Sequence, residues 1–342
     1  MLRLFGILAT VLFAIAAAVL TWPPFFRLER TYPIAQIISF RGLVVVGFAA
    51  AVLVAVLLAT WRPVRGFALS IALVAGLAVI ANGSVLVSRG LGADTLPSAT
   101  ATSVRVMTWN TAGEATPAAA VAQTAVTMDA DIIALPETAA SVGESVAVAM
   151  RDLGRPMWVH HVQYNTEIQN GPQAWETTIL ISPDLGDYSV IESSRDGSSN
   201  TNVVPSAVAM PVDGDGPIVV AVHAVAPRPA YMGSWRDDLR WLADQCADSN
   251  VIMAGDFNAT VDHMGGLGVD GATLGRCTDA AVATGNGAVG TWSSALPALA
   301  GAPIDHVLYS SHWRPTGSVV LRSMDGSGSD HRPLIVQLEP TG

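Results

Sequence analysis

The sequence predicts a layered α/β domain preceded by three transmembrane helices. Near the N-terminus, three stretches without a charged residue lie between arginines, at positions 4–26, 42–61 and 66–88. A helix needs about 20 apolar residues to cross the hydrocarbon core of a bilayer, and each stretch has that length. From residue 104 onward, short apolar runs alternate with helical patterns, which is typical of a domain built from packed sheets and helices.

The composition supports this division. Of the 342 residues, 51% are hydrophobic and only 13% are charged, about half the charged fraction of a typical soluble domain. Residues 1–99 carry seven arginines and two acids, whereas residues 100–342 carry eleven arginines and twenty-six acids. Non-specific affinity for nucleic acids comes from basic side chains that neutralise phosphates. The acidic C-terminal part therefore disfavours nucleic acid as a partner, without excluding it.

The apolar stretches have the features of a membrane anchor. Trp22 and Trp61 lie at stretch ends, where interfacial aromatic residues belong. A cleaved signal peptide is the alternative for the first stretch, but two further stretches of full length favour an anchor. Residues 90–103 are small and polar and include one proline, which indicates a linker. The predicted domains are an anchor over 1–89, that linker, and a soluble catalytic domain over 104–342.

The orientation of the anchor is predicted from its arginines. The positive-inside rule places basic loops on the cytoplasmic side, but arginines occur at both ends of the three stretches. Only the short turn over residues 61–65 is densely basic for its length, so we predict that this turn is cytoplasmic. The result is a multi-pass protein of the cell membrane, whose soluble domain, which follows Arg89, lies outside the cytoplasm.

Apolar periodicity and turn residues predict ten strands and three helices in the soluble domain. The helices are Ala118–Thr127, Val142–Leu153 and Ser234–Ala247, with Ser234 as a candidate N-cap residue. Many strands with interspersed helices fit an α/β or α+β layered domain. The strands are Val104–Trp109, Asp131–Leu135, Trp158–Gln163, Thr177–Ile181, Ala207–Pro211, Ile218–Val225, Val251–Ala254, Asp305–Tyr309, Val319–Leu321 and Leu334–Leu338.

Polar residues stand where several of these strands emerge from the predicted core. Loops at strand ends on a rigid sheet are where catalytic groups concentrate. Each residue alone has a simple structural interpretation, as a turn residue, a helix N-terminal acid or a buried histidine. Together they form one chemical set supplied by six separate turns, which favours a common site. The residues are Asn110, Glu137, His223, Asp256, Asn258, Asp305, His306, Asp330 and His331.

Three of these residues form a candidate metal site. Mg²⁺ prefers hard oxygen ligands and keeps several waters, so one or two carboxylates with an amide suffice. Glu137, Asn110 and Asp330 supply such oxygens. The predicted cofactor is therefore a divalent cation, Mg²⁺ in the first place and Mn²⁺ as a second candidate.

The remaining residues predict hydrolysis of a phosphoester. Hydrolysis needs a base to activate water, and Asp256 is the candidate. Asn258, two residues on, can hold the water or a phosphoryl oxygen. A histidine can donate to the charge that develops on phosphorus or on the leaving oxygen, and a carboxylate can orient it. His331 with Asp305 is one such pair, and His223 is a second donor.

The order and the amino-acid sequences of these segments resemble those of the endonuclease/exonuclease/phosphatase superfamily, which has the DNase-I-like fold. The segments TWN, LPE, VHAVAP, GDFNA, IDHV and SDHRP occur here in the order of that family. LPE stands where many members have LQE, but that glutamine is not a metal ligand. The resemblance implies a four-layer α/β/β/α sandwich with its site at one rim of the two sheets. It also implies Glu137 as the principal metal ligand and Glu176 as the residue that orients His223.

The fold does not by itself select a substrate. An acidic domain tied to three spans favours a small or lipid-linked phosphodiester or pyrophosphate. The three-span arrangement also resembles membrane-bound bacterial members of the superfamily that act on such lipids. An extracellular or surface nuclease is the alternative, and an inactive phosphate-binding module is a further one. Hydrolysis of an aryl phosphodiester with and without Mg²⁺ separates the enzymes from the binding module.

The two cysteines of the chain, Cys246 and Cys277, both lie in the soluble domain. An even pair in an exported domain is more often bridged than free. Two small buried thiols are the alternative. We predict a disulfide between them, which supports an external domain because cytosolic thiols stay reduced.

Overall fold

The computed structural model describes residues 2–93, 95–164, 172–191 and 200–341. The chain divides into two compact units, Met1–Ser88 and Arg89–Gly342, which we call the N-terminal and C-terminal units. Because the boundary falls between residues 88 and 89, the residues predicted as a linker belong to the C-terminal unit.

Five helices are described in the N-terminal unit, and the last of them ends at the first residue of the C-terminal unit. They are α1 (Leu2–Thr21), α2 (Pro23–Phe26), α3 (Ile34–Ser39), α4 (Arg41–Leu58) and α5 (Arg65–Arg89). Three segments are long and apolar enough to span a membrane, with mean hydropathies of 2.5, 2.5 and 2.2: Leu4–Thr21, Arg41–Leu58 and Arg62–Arg89. This bears out the three apolar helices predicted from the sequence.

The long helices bury small side chains and expose large ones. Ala17, Ala75 and Ala78 pack with Phe48 between the helices, whereas many of their leucines and isoleucines are exposed. A helix that is apolar all round belongs in a large core or in a membrane. The exposed apolar surface of this unit therefore indicates association with a membrane.

A buried polar cluster joins the ends of the long helices. Arg41 Nη1 donates to Thr21 O at 3.2 Å and to Asn82 Oδ1 at 2.5 Å. Asn82 Nδ2 donates to Thr21 Oγ1 at 2.9 Å. Lipid provides no hydrophobic drive for helix association, so hydrogen bonds between helices help to hold a bundle together. Arg41 thus ties the start of α4 to the end of α1 and to α5.

The C-terminal unit contains two six-stranded sheets. The first has the strand order β11-β12-β1-β2-β4-β3 and the second has the order β5-β6-β7-β8-β10-β9. Neighbouring strands are antiparallel, except for the parallel pairs β1–β2 and β7–β8. The strands are β1 (Val104–Thr108), β2 (Ile132–Pro136), β3 (Trp158–Gln163), β4 (Glu176–Ile181), β5 (Tyr188–Val190), β6 (Ala207–Pro211), β7 (Ile218–His223), β8 (Val251–Asp256), β9 (Thr278–Asp279), β10 (Asp305–Tyr309), β11 (Trp313–Val320) and β12 (Leu334–Pro340).

The two sheets pack face to face and helices cover their outer faces. Val106 and Ile132 of the first sheet lie in one core with Val219 and Ala254 of the second. The opposite face of the first sheet packs under α6 (Ala118–Thr127) and α7 (Ala140–Asp152). On the second sheet, α8 (Met232–Gln245) buries Trp235, Leu239 and Leu242, and the short α9 spans Ala280–Ala283. The predicted four-layer α/β/β/α sandwich is confirmed.

Some predicted elements differ from the observed ones. The prediction of Ser234 as an N-cap is wrong, because α8 begins two residues earlier, at Met232. β11 starts at Trp313, six residues before the predicted strand. Its first half contains Pro315 and a register shift between Pro315 and Gly317. An edge strand tolerates proline because one of its sides has no partner strand. The proline and the register shift interrupt the apolar periodicity, so the sequence pattern did not predict the first half of this strand.

The predicted linker is held against the C-terminal unit. Thr100, Thr102 and Ser103 all donate from their hydroxyls to the Glu339 carboxylate. These bonds lower the pKa of Glu339, because hydroxyl donors favour the ionised carboxylate. Small polar residues occur both in free linkers and in docked segments, so composition did not distinguish the two.

Candidate active site

Three candidate catalytic residues lie side by side across the second sheet. His223 ends β7 and pairs in register with Asp256 at the end of β8, which in turn pairs with Asp305 at the start of β10. β7 and β8 are parallel and β10 is antiparallel to both, so these residues share one rim of the sheet. Gly255 allows this close pairing, because a Cβ there would lie 2.0 Å from the carbonyl oxygen of Val222.

The first sheet contributes Asn110 and Glu137 to the same site. They follow the parallel strands β1 and β2, and the Asn110 Nδ2 group donates to Glu137 Oε1 and to Asp256 Oδ2, both at 3.1 Å. Asn110 Oδ1 accepts from the backbone N–H of Ala112 at 3.0 Å. The amide nitrogen therefore faces the carboxylates, and Asn110 bridges them in this structure; its role as a metal ligand stays a prediction.

Backbone conformation is unusual where two site residues leave their strands. Glu137 has φ +56° and Asn258 has φ +47°. Non-glycine residues adopt positive φ uncommonly, and such conformations cluster at functional sites where the surroundings enforce them. The left-handed turn at Glu137 leaves its side chain about one third exposed, whereas Asp256 is buried.

His331 and Asp305 form the pair predicted from the sequence. His331 Nδ1–H donates to Asp305 Oδ2 at 2.8 Å, and His331 Nε2 lies 3.8 Å from Asp256 Oδ2. Burial favours the neutral ring, but the charges of Asp305 and Asp256 outweigh it and raise the pKa of His331 to about 10. Burial and the neighbouring Asp305 charge raise the pKa of Asp256 to about 7. An imidazolium thus lies between two carboxylates.

Asn258 holds Asp256. Its backbone N–H donates to Asp256 Oδ1 at 2.8 Å, and its Nδ2 group donates to Asp256 Oδ2 at 3.2 Å. The same Nδ2 group donates to Ala224 O at 2.9 Å. Asn258 therefore fixes the orientation of the Asp256 carboxylate, and its contact with water or a phosphoryl oxygen stays a prediction.

His223 is paired with a different carboxylate from the one that the resemblance implied. His223 Nε2 lies 3.7 Å from Glu137 Oε1. Glu176 instead lies beside His161, with Oε2 3.3 Å from Nε2. In the β3–β4 register His161 is opposite Thr178, which makes Glu176 its diagonal neighbour on the same face of the sheet. The assignment of Glu176 as the orienter of His223 is therefore wrong.

The environment of His223 favours a neutral ring. Burial lowers the pKa of His223 to about 4, although Glu137 opposes this effect. Among the described residues, its buried Nδ1 atom has no hydrogen-bond partner. A buried ring atom without a partner at a catalytic rim is suited to a substrate oxygen, because an unsatisfied polar group is costly.

Asp330 lies at the exposed edge of the site, and sequence reasoning missed its partner. Trp292 Nε1 donates to Asp330 Oδ2 at 2.7 Å. Trp292 also pairs with His331 through an isolated backbone bridge. The segment GTW carries a large aromatic residue after a glycine, but it follows no predicted strand, so strand-end reasoning did not select it.

His306 is also part of the support of the site. Its Nδ1–H donates to Asp279 Oδ2 at 2.5 Å, and its Nε2–H donates to Ala259 O at 2.8 Å. Because both ring nitrogens face acceptors, the ring carries a charge; burial opposes this, but Asp279 raises the pKa of His306. His306 thereby fixes the backbone directly after Asn258.

The residues at this rim fit a hard divalent cation. Asp256, Asp305 and His331 offer ligand atoms that all lie within 4.8 Å of one another. His331 directs Nδ1 at Asp305 Oδ2, so the hard ligand atoms of this group are carboxylate oxygens. Carboxylate oxygens remain: the partly exposed Glu137, the buried Asp256, and Asp305 Oδ1, which has no hydrogen-bond partner in the described part of the chain. Oxygen donors of this kind suit Mg²⁺.

The four-layer sandwich and this rim of Asn, Glu, His and Asp residues define a hydrolase fold of the phosphoesterase type. Residues 107–331 match the profile of the Endonuclease/Exonuclease/phosphatase family, and the chain belongs to that family. Its members are usually hydrolases of phosphoester bonds that depend on a divalent metal. A comparison with curated proteins gives no match.

Solved structures show the same fold at low sequence identity. An endonuclease/exonuclease/phosphatase from Beutenbergia cavernae has 17% identity and a TM-score of 0.52, over 70% of this chain and 72% of that one. A family protein from Leptotrichia buccalis has 14% identity and a TM-score of 0.53, over 69% and 99%. Humanized TDP2 from D. rerio has 15% identity and a TM-score of 0.51, over 69% and 99%.

The ligand role predicted for Glu137 can be tested by metal binding. Glu137→Gln keeps the shape of the side chain and removes one negative charge. We expect Mn²⁺ or Mg²⁺ to bind at least about tenfold more weakly, because the loss of a residue that only hydrogen-bonds a metal ligand already lowers metal affinity by about 10–100-fold. Titration calorimetry with either ion, at a pH near 7, measures the change. Glu144→Gln, on the exposed surface of α7, is the matched control. Equal affinity in both variants would remove Glu137 from the metal site.

Proposed function

We propose that this protein is a membrane-anchored, Mg²⁺-dependent phosphoesterase that hydrolyses a phosphodiester or pyrophosphate, with a lipid-linked substrate favoured. One observation carries the proposal: the Asp305–His331 pair, the Asp256–Asn258 pair and the Asn110–Glu137 pair meet at a single rim. Such a set contains a base, a cationic donor and hard oxygen ligands, which together are what phosphoester hydrolysis requires.

Each residue has a task that its geometry allows. Asp256, oriented by Asn258, accepts a proton from the attacking water, and oxygen then bonds to phosphorus. His331, held as a cation by Asp305, stabilises the negative charge on the phosphoryl oxygens. His223, neutral in this environment, donates a hydrogen bond to the leaving oxygen, which departs from phosphorus with the bonding electrons and takes a proton from solvent. Glu137 would hold the cation, which would supply Lewis-acid polarisation of a phosphoryl oxygen.

Two features of the chain outside the site support a lipid-linked substrate. Three helices are apolar enough to span a membrane, and residues 100–342 have more than twice as many acids as arginines. An acidic protein gains no affinity from a long polyanion, whereas a lipid-borne phosphate is confined to the membrane. The same fold also handles nucleic acid, since D. rerio TDP2 has been solved with a single strand DNA product. DNA is therefore the necessary comparison.

The test uses the purified full chain in detergent. We expect it to hydrolyse bis-p-nitrophenyl phosphate with Mg²⁺ and to lose this activity when EDTA is added. We also expect it to release inorganic phosphate from a polyprenyl pyrophosphate faster than it degrades single-stranded or plasmid DNA. Asp256→Asn serves as the inactive control for contaminating enzymes. DNA degradation that exceeds lipid hydrolysis would favour the nuclease, and no hydrolysis of any substrate would favour the binding module.

A further inference from the structure

The chain enters the C-terminal unit at its catalytic rim. Arg89, the last residue of α5, donates through both Nη atoms to the two carboxylate oxygens of Asp262, at 2.8 and 2.6 Å. The side chains are only 16% and 7% exposed, so solvent screens this bidentate pair less than a surface pair. Asp262 follows Asn258 by four residues, which keeps the two backbones within about 14 Å.

Residues 89–93, which we call the strap, also bind the loop that leads to Trp292. A Cβ on Gly90, which has φ +89°, would lie 2.1 Å from the Gly285 backbone, so the two segments are in direct contact. Trp292 follows this loop and bonds Asp330. The strap therefore contacts both loops that flank the site. Three backbone bonds hold it: Gly287 N–H to Arg89 O at 2.9 Å, Ala288 N–H to Gly90 O at 3.1 Å, and Gly92 N–H to Gly285 O at 3.1 Å.

After the strap, the chain runs along the sandwich to its opposite rim before β1 begins. Its successive contacts follow β11 and β12 away from the site. Ala93 N–H donates to Asn286 Oδ1, and Asn286 Nδ2 donates to Ser318 O in β11. Further along, Pro97 lies against Gly317, where a Cβ would be 2.6 Å away. Thr100 then donates to Glu339 near the end of β12.

This route decides which rim is joined to α5. A direct connection from α5 to Val104 would place the chain entry at the rim opposite the site, because β1 runs from Val104 toward Asn110. A unit of this size has a radius of gyration of about 18 Å, so the two rims are far apart. The strap therefore moves the entry point to the catalytic rim.

Apolar side chains are exposed on the same segments. Leu91 in the strap is 47% exposed, and Leu299 in the loop after Trp292 is 44% exposed. Single exposed leucines are common on soluble proteins, but these two lie on the segments at the entry point. They suit contact with the apolar part of a bilayer or of a lipid.

We propose that the strap selects a phosphoester carried by an amphiphile in the enzyme's own bilayer, because it keeps the catalytic rim at the point where the chain leaves its last apolar helix. This inference rests on the proposed function and adds the substrate's location and the device that selects it. It holds whatever angle the two units adopt, because it depends only on chain continuity and on contacts within the C-terminal unit.

The experiment compares two substrates on the full chain reconstituted in phospholipid vesicles. One is soluble bis-p-nitrophenyl phosphate, and the other is a polyprenyl pyrophosphate in the same vesicles. For Arg89→Ala and Asp262→Ala we expect the soluble activity to stay within about twofold and the vesicle-borne activity to fall about tenfold, as the local concentration of substrate at the site falls. The charge exchange Arg89→Asp with Asp262→Arg should restore part of the loss.

Two further variants separate the strap from general damage. Arg155→Ala removes the ion pairs of Arg155 with Asp129 and Asp131. These two acids precede β2 and therefore lie at the rim opposite the site, so this variant should change neither activity. Ten Gly/Ser residues inserted between Ser88 and Arg89 leave every strap contact in place and should still lower only the vesicle-borne activity.

The outcomes distinguish this inference from the proposed function. A wild-type protein that hydrolyses neither substrate contradicts the proposed function. A wild-type protein that is active, but whose strap and insertion variants lose both activities equally or lose neither, overturns the strap inference and leaves the phosphoesterase intact. Thermal melting of each variant identifies any loss that comes from unfolding.

Discussion

Asp256→Asn is expected to lower kcat for phosphoester hydrolysis by about 10²–10⁴-fold, the usual contribution of a general base. Asn has the same shape and can still accept the Asn258 N–H bond. Its amide nitrogen would replace the Oδ2 atom that accepts from the Asn110 and Asn258 side chains, so the melting temperature of the variant is measured as well. Asn cannot take up a proton, however, and it removes the charge next to His331. Because the lost interaction belongs to the transition state, kcat should fall while KM changes little.

His331→Ala should have an effect of similar size, because it removes the cation that lies between Asp305 and Asp256. The two residues act as one unit, so the double variant should lose little more than either single variant. His312→Ala, an exposed histidine outside the rim, is the control. Steady-state kinetics on bis-p-nitrophenyl phosphate, together with melting curves, measure these effects. Either single variant with near wild-type kcat and an unchanged melting temperature would exclude its proposed role.

Loss of the disulfide is expected to have the largest effect on stability. The structure joins Cys246 and Cys277 with a Cα–Cα distance of 5.8 Å and a sequence separation of 31, as the sequence predicted. Both residues are fully buried, and Arg276 N–H donates to Cys246 O beside them at 2.8 Å. Closing a loop of this length stabilises the fold by about 3.7 kcal/mol, chiefly by restricting the unfolded chain.

The double variant Cys246→Ala, Cys277→Ala should therefore melt about 7–15 °C lower than wild type. Scanning fluorimetry of the full chain in detergent measures the shift, and reductant should destabilise the wild type but not the variant. The alanine variant also loses the packing of two buried sulfur atoms. Cys246→Ser with Cys277→Ser, which keeps an atom at each position, is therefore the second variant. Equal melting temperatures for the wild type with and without reductant would show that no disulfide contributes.

The disulfide also tests the proposed location outside the cytoplasm. Thiols in the cytosol stay reduced, so protein taken directly from cells and unfolded without reductant should resist thiol labelling if the C-terminal unit is external. Labelling of both cysteines would contradict that location. Protease treatment of intact spheroplasts gives an independent measurement of the same orientation.

The sequence alone determined the features that depend on local pattern. Three uncharged stretches of full span length predicted three long apolar helices, because hydrocarbon excludes charge along a whole helix. Buried strands read as continuous apolar runs, so most strands of the two sheets and the polar residues at their ends were found. The residues of the rim were thus recognised as a set before their geometry was known.

The tertiary structure decided which side chains meet. Glu176 and His161 become neighbours through the register of β3 and β4, and Asn110 presents its nitrogen because the Ala112 N–H holds its oxygen. The bond from Trp292 to Asp330 and the one from Arg89 to Asp262 join positions 38 and 173 residues apart. Register, rotamer and long-range contact depend on how the sheets pack, whereas apolar periodicity reports only on each segment and its immediate surroundings.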